Sequence, residues 1–167
     1  MLTNPNTGAT NQTLQDVAVM RAVPGMSMVE PADAAELHQT LPALVAQPGL
    51  VYLWLVWGDV GGACPRVSSE GYRFAFGKVT LLRAGCDITL IGAGLMTSGS
   101  LQAARMLEEE GISATVLNVA AIKPLDAETI TAWAERTGAV VTAENHTVLG
   151  GLGGSVAELL GRAIRCP

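Results

Sequence analysis

Glu144, Asn145 and His146 place a carboxylate, an amide and an imidazole on three successive residues, just ahead of the glycine-rich run GGLGG at 150–154. The stretch GAVVTAEN before them reads as a strand, and the glycines after them lead into a helix. A carboxylate beside an imidazole at the carboxyl end of a strand lies where α/β sheets place chemistry. Imidazole is also the side chain whose charge changes near neutral pH. A histidine in a turn can equally be a surface or interface residue, so both roles stay open for His146. Near the other end, GATNQ places Asn11 and Gln12 ahead of a helix. Thr10 or Asn11 there can cap the helix start.

Three further stretches carry polar or aromatic groups at suggestive spacing. IGAGLMTSG (91–99) follows a strand and opens a helix, where free backbone amides can hold an anion. Its third glycine, Gly99, is off the dinucleotide-binding spacing, and no acidic residue ends a second strand at the required distance. Tight strand–helix packing is the simpler account of Gly92 and Gly94, and a nucleotide-binding domain ranks last. IKPLD (122–126) reads as a loop in which Asp126 caps the next helix. Its Lys123 is free to meet an anion or a partner chain, or to serve the fold. YLWLVWGD carries Trp54 and Trp57, three residues apart. On a strand that spacing sends them to opposite faces, into core or interface rather than one stacking platform. His38 falls on a polar helix face.

The elements that must hold these groups follow from periodicity. Helices are expected over 12–23, 33–46, 95–110, 126–137 and 153–164, and strands at MSMV, LVYLWLV, KVTLLRAG, DITLIGAG, ISATVLNVA and GAVVTAEN. LVYLWLV has no alternation and is expected to be buried on both faces. GDVGGACPRVSSEGY is a linker by composition, and a domain boundary is expected within it. Strands separated by helices predict right-handed crossovers and a mainly parallel sheet.

Composition supports the same class. Apolar residues make up 49% of the 167, enough for a sizeable core, while aromatics are 4%. The net charge of −5 and the lack of a basic patch argue against nucleic acid as a partner. Cys64, Cys86 and Cys166 form no CxxC motif and no cysteine–histidine cluster. A zinc site or disulfide scaffold is therefore not expected, and a cytoplasmic location is. No apolar run is long enough to span a membrane, and no signal peptide is expected.

GATNQTLQDVAVMRAVPGMSMVEPADAAE, VYLWLVWGDV, DITLIGAGLM, AARMLEEEGISATVLNV, IKPLDAETI and VVTAENHTVLGGLGGSVAELL, in this order, resemble the C-terminal part of a transketolase. The similarity is greatest to the split bacterial kind, whose catalytic unit is divided between two polypeptides. Deoxyxylulose-phosphate synthase and the β subunits of 2-oxo-acid dehydrogenases have similar tails. The resemblance implies an α/β three-layer sandwich with a mainly parallel sheet, preceded by a fragment of a second α/β domain. Residues 1–57 would be a remnant of the pyrimidine-binding domain, 58–74 a linker and 75–167 the transketolase C-terminal domain.

It also implies a function, the transfer of a two-carbon ketol unit between sugars on thiamine diphosphate with Mg2+. The cofactor serves as electron sink while a carbon–carbon bond breaks. The chain starts after the positions that supply the family's activating glutamate and metal ligands. No cofactor or metal residue is therefore expected in it, and no activity alone. Asn11 stands where the family has a proton-handling histidine, Gln12 follows it as a substrate-side residue, and Thr7 replaces an acidic residue. Trp54 and Trp57 stand where the split enzymes carry arginines, which puts phosphate recognition in doubt. A homodimer is expected, and the enzyme would need the missing thiamine-diphosphate and pyrimidine-domain parts, from a separate N-terminal transketolase subunit or an upstream segment. The alternative is a non-catalytic, degenerate transketolase remnant acting as a dimerisation module.

Overall fold

The computed structural model describes residues 13, 15–56, 66–68 and 71–163. Asn11, Gln12 and Trp57 lie outside the described residues, as do Thr7, Cys64 and Cys166.

The first lobe comprises α1 (Asp16–Ala22), β1 (Met26–Val29), α2 (Ala34–Val45) and β2 (Leu50–Leu53). Asp33 caps α2 by accepting from the Glu36 amide at 2.7 Å. The second lobe contains β3 (Thr80–Arg83), β4 (Ile88–Gly92), α3 (Met96–Glu109), β5 (Ala114–Asn118), β6 (Ala121–Lys123), α4 (Ala127–Thr137), β7 (Val140–Ala143) and α5 (Leu152–Ala163). Asp126 caps α4, and Gly138 ends it in the left-handed conformation at φ 70°.

Four strands form the main sheet in the order β3-β5-β4-β7. β4 lies parallel to both β5 and β7, while β3 joins β5 antiparallel. The pleat sorts the core. Leu90 and Val116 face Ala104, Leu101 and Leu107 of α3 on one side. Ile91 and Leu117 face Ile130 of α4 and Leu152 and Val156 of α5 on the other. Helices thus cover both faces, and the fold is α/β with three layers and mixed sheets.

IKPLD begins on a strand, not in a loop. β6 leaves the second lobe and pairs antiparallel with β1, giving a three-stranded sheet in the order β2-β1-β6. The core is continuous in the same way, because Val17, Met28 and Trp54 of the first lobe pack in one cluster with Ile91, Ile122, Ile130 and Leu152. Described residues on both sides of 58–74 thus share one core cluster.

β2 departs from its expected burial. It ends at Leu53, Leu50 is 60% exposed, and its outer side pairs with no strand among the described residues. α1 is also shorter than its periodicity predicts, starting at Asp16 with no side-chain cap.

Candidate functional site

The carboxyl end of β1 runs straight into Glu30. Its amide donates to the Ala120 carbonyl at 2.7 Å, so the backbone is fixed and the side chain turns inward, leaving 2% of the residue exposed. Burial first, then the charges of Glu144 and Asp16, push its carboxyl up to about 8. Glu30 is thus a neutral acid at pH 7, and its Oε1 is buried without a hydrogen-bond partner among the described residues. Gly94, at φ +51°, is what leaves room for it. A Cβ on that residue would fall on the Glu30 carboxyl. Gly92 is equally constrained, because a Cβ there would come within 2.7 Å of the Thr97 Cα. The glycines after β4 thus serve close packing.

Asp16, whose charge acts on Glu30, also meets His146, whose side chain is 1% exposed. Its Nδ1 lies 2.9 Å from the Thr147 carbonyl and its Nε2 3.5 Å from Oδ1 of Asp16 at the start of α1. The other Asp16 oxygen accepts from the Tyr52 hydroxyl of β2 at 2.9 Å. Burial, then Asp16, push that phenol up to about 12. Trp54, just past β2, meets the imidazole edge-on with ring centroids 6.3 Å apart. Glu144 accepts from the Leu152 and Gly153 amides at 2.7 and 2.8 Å, so its charge sits on the amino end of α5. Gly151 and Gly153 carry no Cβ where that carboxylate lies.

A second polar network ties α2 to the rest. Asp33 accepts from Val67, Ser68 and Glu36 amides. Burial alone would raise its carboxyl, but those amide bonds outweigh it and hold the group below the usual range. Glu36 is raised by burial, although it accepts from the Ala32 amide, the Tyr72 hydroxyl and the Asn118 side chain. Asn118 in turn accepts from Thr97 at 2.9 Å. Lys123 donates to the Arg21 and Val23 carbonyls at 2.8 Å each, capping the end of α1. It serves the fold.

The structure thus brings together two of the residues singled out by sequence, His146 and Trp54. Asp16 and Glu30 complete the group, and sequence reasoning missed their role. Their signals were thin: Asp16 reads as an early-turn acid favouring a helix, and Glu30 as an acid between an apolar strand and Pro31. No lysine or arginine among the described residues pairs with Asp16, Glu30 or Glu144. No group of three or more His, Cys, Asp or Glu among them is arranged to hold a metal ion, so the cluster does not fit a metal-bound diphosphate. No helix among them is long and apolar enough to cross a membrane. A surface depression of about 440 Å³ lies elsewhere, lined by Ala18, Lys123, Ser155 and Leu159, and by Arg21 and Glu158, which pair with each other. Asp16, Tyr52, Trp54 and His146 tie the two lobes together.

Residues 77–166 match the family model described as the C-terminal domain of transketolase. The chain is 44% identical over 160 residues to the 6-deoxy-6-sulfo-D-fructose transketolase subunit of Clostridium sp. (strain MSTE9), covering 96% of this chain and 48% of that protein. It is 42% identical over 155 residues to an apulose-4-phosphate transketolase subunit of Phocaeicola vulgatus, covering 92% and 48%. Among solved structures it superposes on one described as a split gene transketolase, inactive beta4 tetramer. That match has a TM-score of 0.87 and 42% identity, and covers 96% of this chain and 52% of the other. The chain therefore spans about half the length of these relatives.

Proposed function

The chain belongs to the transketolase family, and from that premise we propose that it is the C-terminal portion of a split transketolase. In this reading it takes part in moving a two-carbon ketol unit between sugars in the cytoplasm and is inactive by itself. Residues 1–57 are assigned to the end of the pyrimidine-binding domain, 58–74 to a linker and 75–167 to the C-terminal domain. The observation that carries the reading is the full-length likeness to transketolase subunits, which uses nearly all of this chain but half of each relative. Thiamine diphosphate and Mg2+ would be held by the other half of the enzyme, where the cofactor supplies the electron sink for carbon–carbon cleavage.

Within this chain, Asn11 and Gln12 are assigned to the substrate side. Trp54, buried against His146, suits packing better than contact with a substrate phosphate, and Trp57 is left as the nearer candidate for substrate contact. Reconstitution tests the reading. The chain is mixed with a polypeptide carrying the thiamine-diphosphate domain and the preceding part of the pyrimidine-binding domain, with Mg2+ and the cofactor, and ketol transfer is assayed. Activity in the mixture, absent from either component, is expected; persistent inactivity would sink it.

A second reading, a non-catalytic module that associates with copies of itself, draws on two observations. No catalytic constellation open to solvent stands among the described residues, and one solved relative is described as an inactive tetramer. A homo-oligomer that never complements a partner would favour it.

A further inference from the structure

We propose that the hollow between α1 and α5 is a binding site for a small organic anion, one with a carboxylate or phosphate head and an apolar body. The inference stands apart from ketol transfer and holds whether or not the chain takes part in it.

The hollow owes its room to small residues. Ala18 and Ala22 lie one turn apart on α1, and Ser155 and Leu159 one turn apart on α5. Ile122 of β6 and Leu125 beyond it add apolar lining. Side chains as short as alanine and serine leave about 440 Å³ open, within the range of small-molecule sites.

Its charges favour an anion. Arg21, Lys123 and Arg162 line the hollow against a single carboxylate, Glu158, in a chain whose net charge is −5. Arg21 turns two guanidinium nitrogens to that carboxylate, with Nη1 3.1 Å from Oε1 and Nη2 meeting Oε2. Such a planar fork is how a guanidinium takes a carboxylate or a phosphate. Arg21 first, and then the charge of Arg162, hold the Glu158 carboxyl below the usual range, so it is ionised at pH 7. The Glu158 side chain is nevertheless 54% exposed, and a pair of this kind contributes little to stability, so a ligand can replace it at low cost. Lys123 is held in place by the Arg21 and Val23 carbonyls, and an ammonium has a third donor left over among the described residues. Arg162 lies one turn beyond Glu158 on α5 and is exposed. Glu158 thus stands where the ligand's head group would bind, and the alanines leave room for its body.

Amide 1H–15N spectra of the whole labelled chain test the site, with phenyl phosphate, 3-phenylpropionate, inorganic phosphate and benzyl alcohol as probes. The two phenyl anions are expected to bind with Kd of about 1 mM, shifting amides of α1, Lys123 and the second half of α5; the tighter of them names the head group. Inorganic phosphate lacks the apolar body and benzyl alcohol the charge, so each should bind about tenfold more weakly. Glu158→Gln frees Arg21 and should tighten both phenyl anions by about tenfold. Arg162→Gln should weaken them by about threefold. Ala22→Leu fills the hollow without touching a charge, and should weaken the phenyl anions while leaving inorganic phosphate unchanged. Benzyl alcohol binding as tightly as the anions would overturn the proposal. So would shifts confined to other elements, or affinities unmoved in Glu158→Gln. The probes are compared first on the unmutated chain, so the test stands even if a variant fails to fold.

Discussion

Gly94 and Glu30 make the sharpest pair of single-residue predictions. Gly94→Ala adds a methyl where the Glu30 carboxyl sits and places alanine at φ +51°, so steric and backbone costs act together. A loss of about 2–4 kcal/mol in urea unfolding is expected, and an unchanged midpoint would contradict the packing described. Glu30 keeps its proton in the fold to about pH 8, whereas its ordinary value is 4.5. Over that window the folded chain holds a proton that the unfolded chain has released, so stability falls as pH rises. Glu30→Gln cannot release a proton. It should lose less stability than the parent between pH 6 and 8, by on the order of 1 kcal/mol. Equal losses in the two proteins would mean that Glu30 is not held neutral. Asp33 works in the opposite sense. Its carboxyl is held below its ordinary 3.8, so its contribution is present above that pH and is lost as acid titrates the folded group.

Helix ends carry the predictions that belong to elements. Glu144→Ala strips the carboxylate from the Leu152 and Gly153 amides and leaves the start of α5 without acceptors. A cost of about 1–3 kcal/mol is expected, which in a chain of this size lowers Tm by roughly 3–9 °C. Calorimetric melting checks it. The helices were legible because they are punctuated locally. Asp33 and Asp126 cap α2 and α4 within their own sequence, and Gly138 ends α4 where a left-handed residue is required. β6 escaped because its three residues are read against Pro124, while its partner β1 lies far upstream. β2 misled because an unbroken apolar run normally signals two buried faces, yet here it ends a sheet whose outer side meets no described strand. The His146 cluster was half legible. The imidazole and Glu144 share one motif, but Asp16 and Glu30 acquire their role through partners that only folding brings near.

At the scale of the whole molecule, the outer side of β2 pairs with no strand among the described residues, and Leu50, Leu55 and Val45 are exposed. Such an edge tends to be covered. Sedimentation of the isolated chain should show mass rising with concentration, and a constant monomer mass would remove the expectation. Titration calorimetry with thiamine diphosphate and Mg2+ should give no binding heat for this chain alone. A stoichiometric signal would place the cofactor site within it after all.

β6 gives this architecture an order in time. The strand that completes the first sheet is read from the messenger long after β1 and β2. On the ribosome those two strands must wait as an unfinished pair until residue 123 has cleared the exit tunnel. Nascent chains arrested before that point should be cut by protease within α1 and β1, and those arrested well beyond it should resist. Protection appearing before β6 emerges would show that the first lobe closes without its borrowed strand.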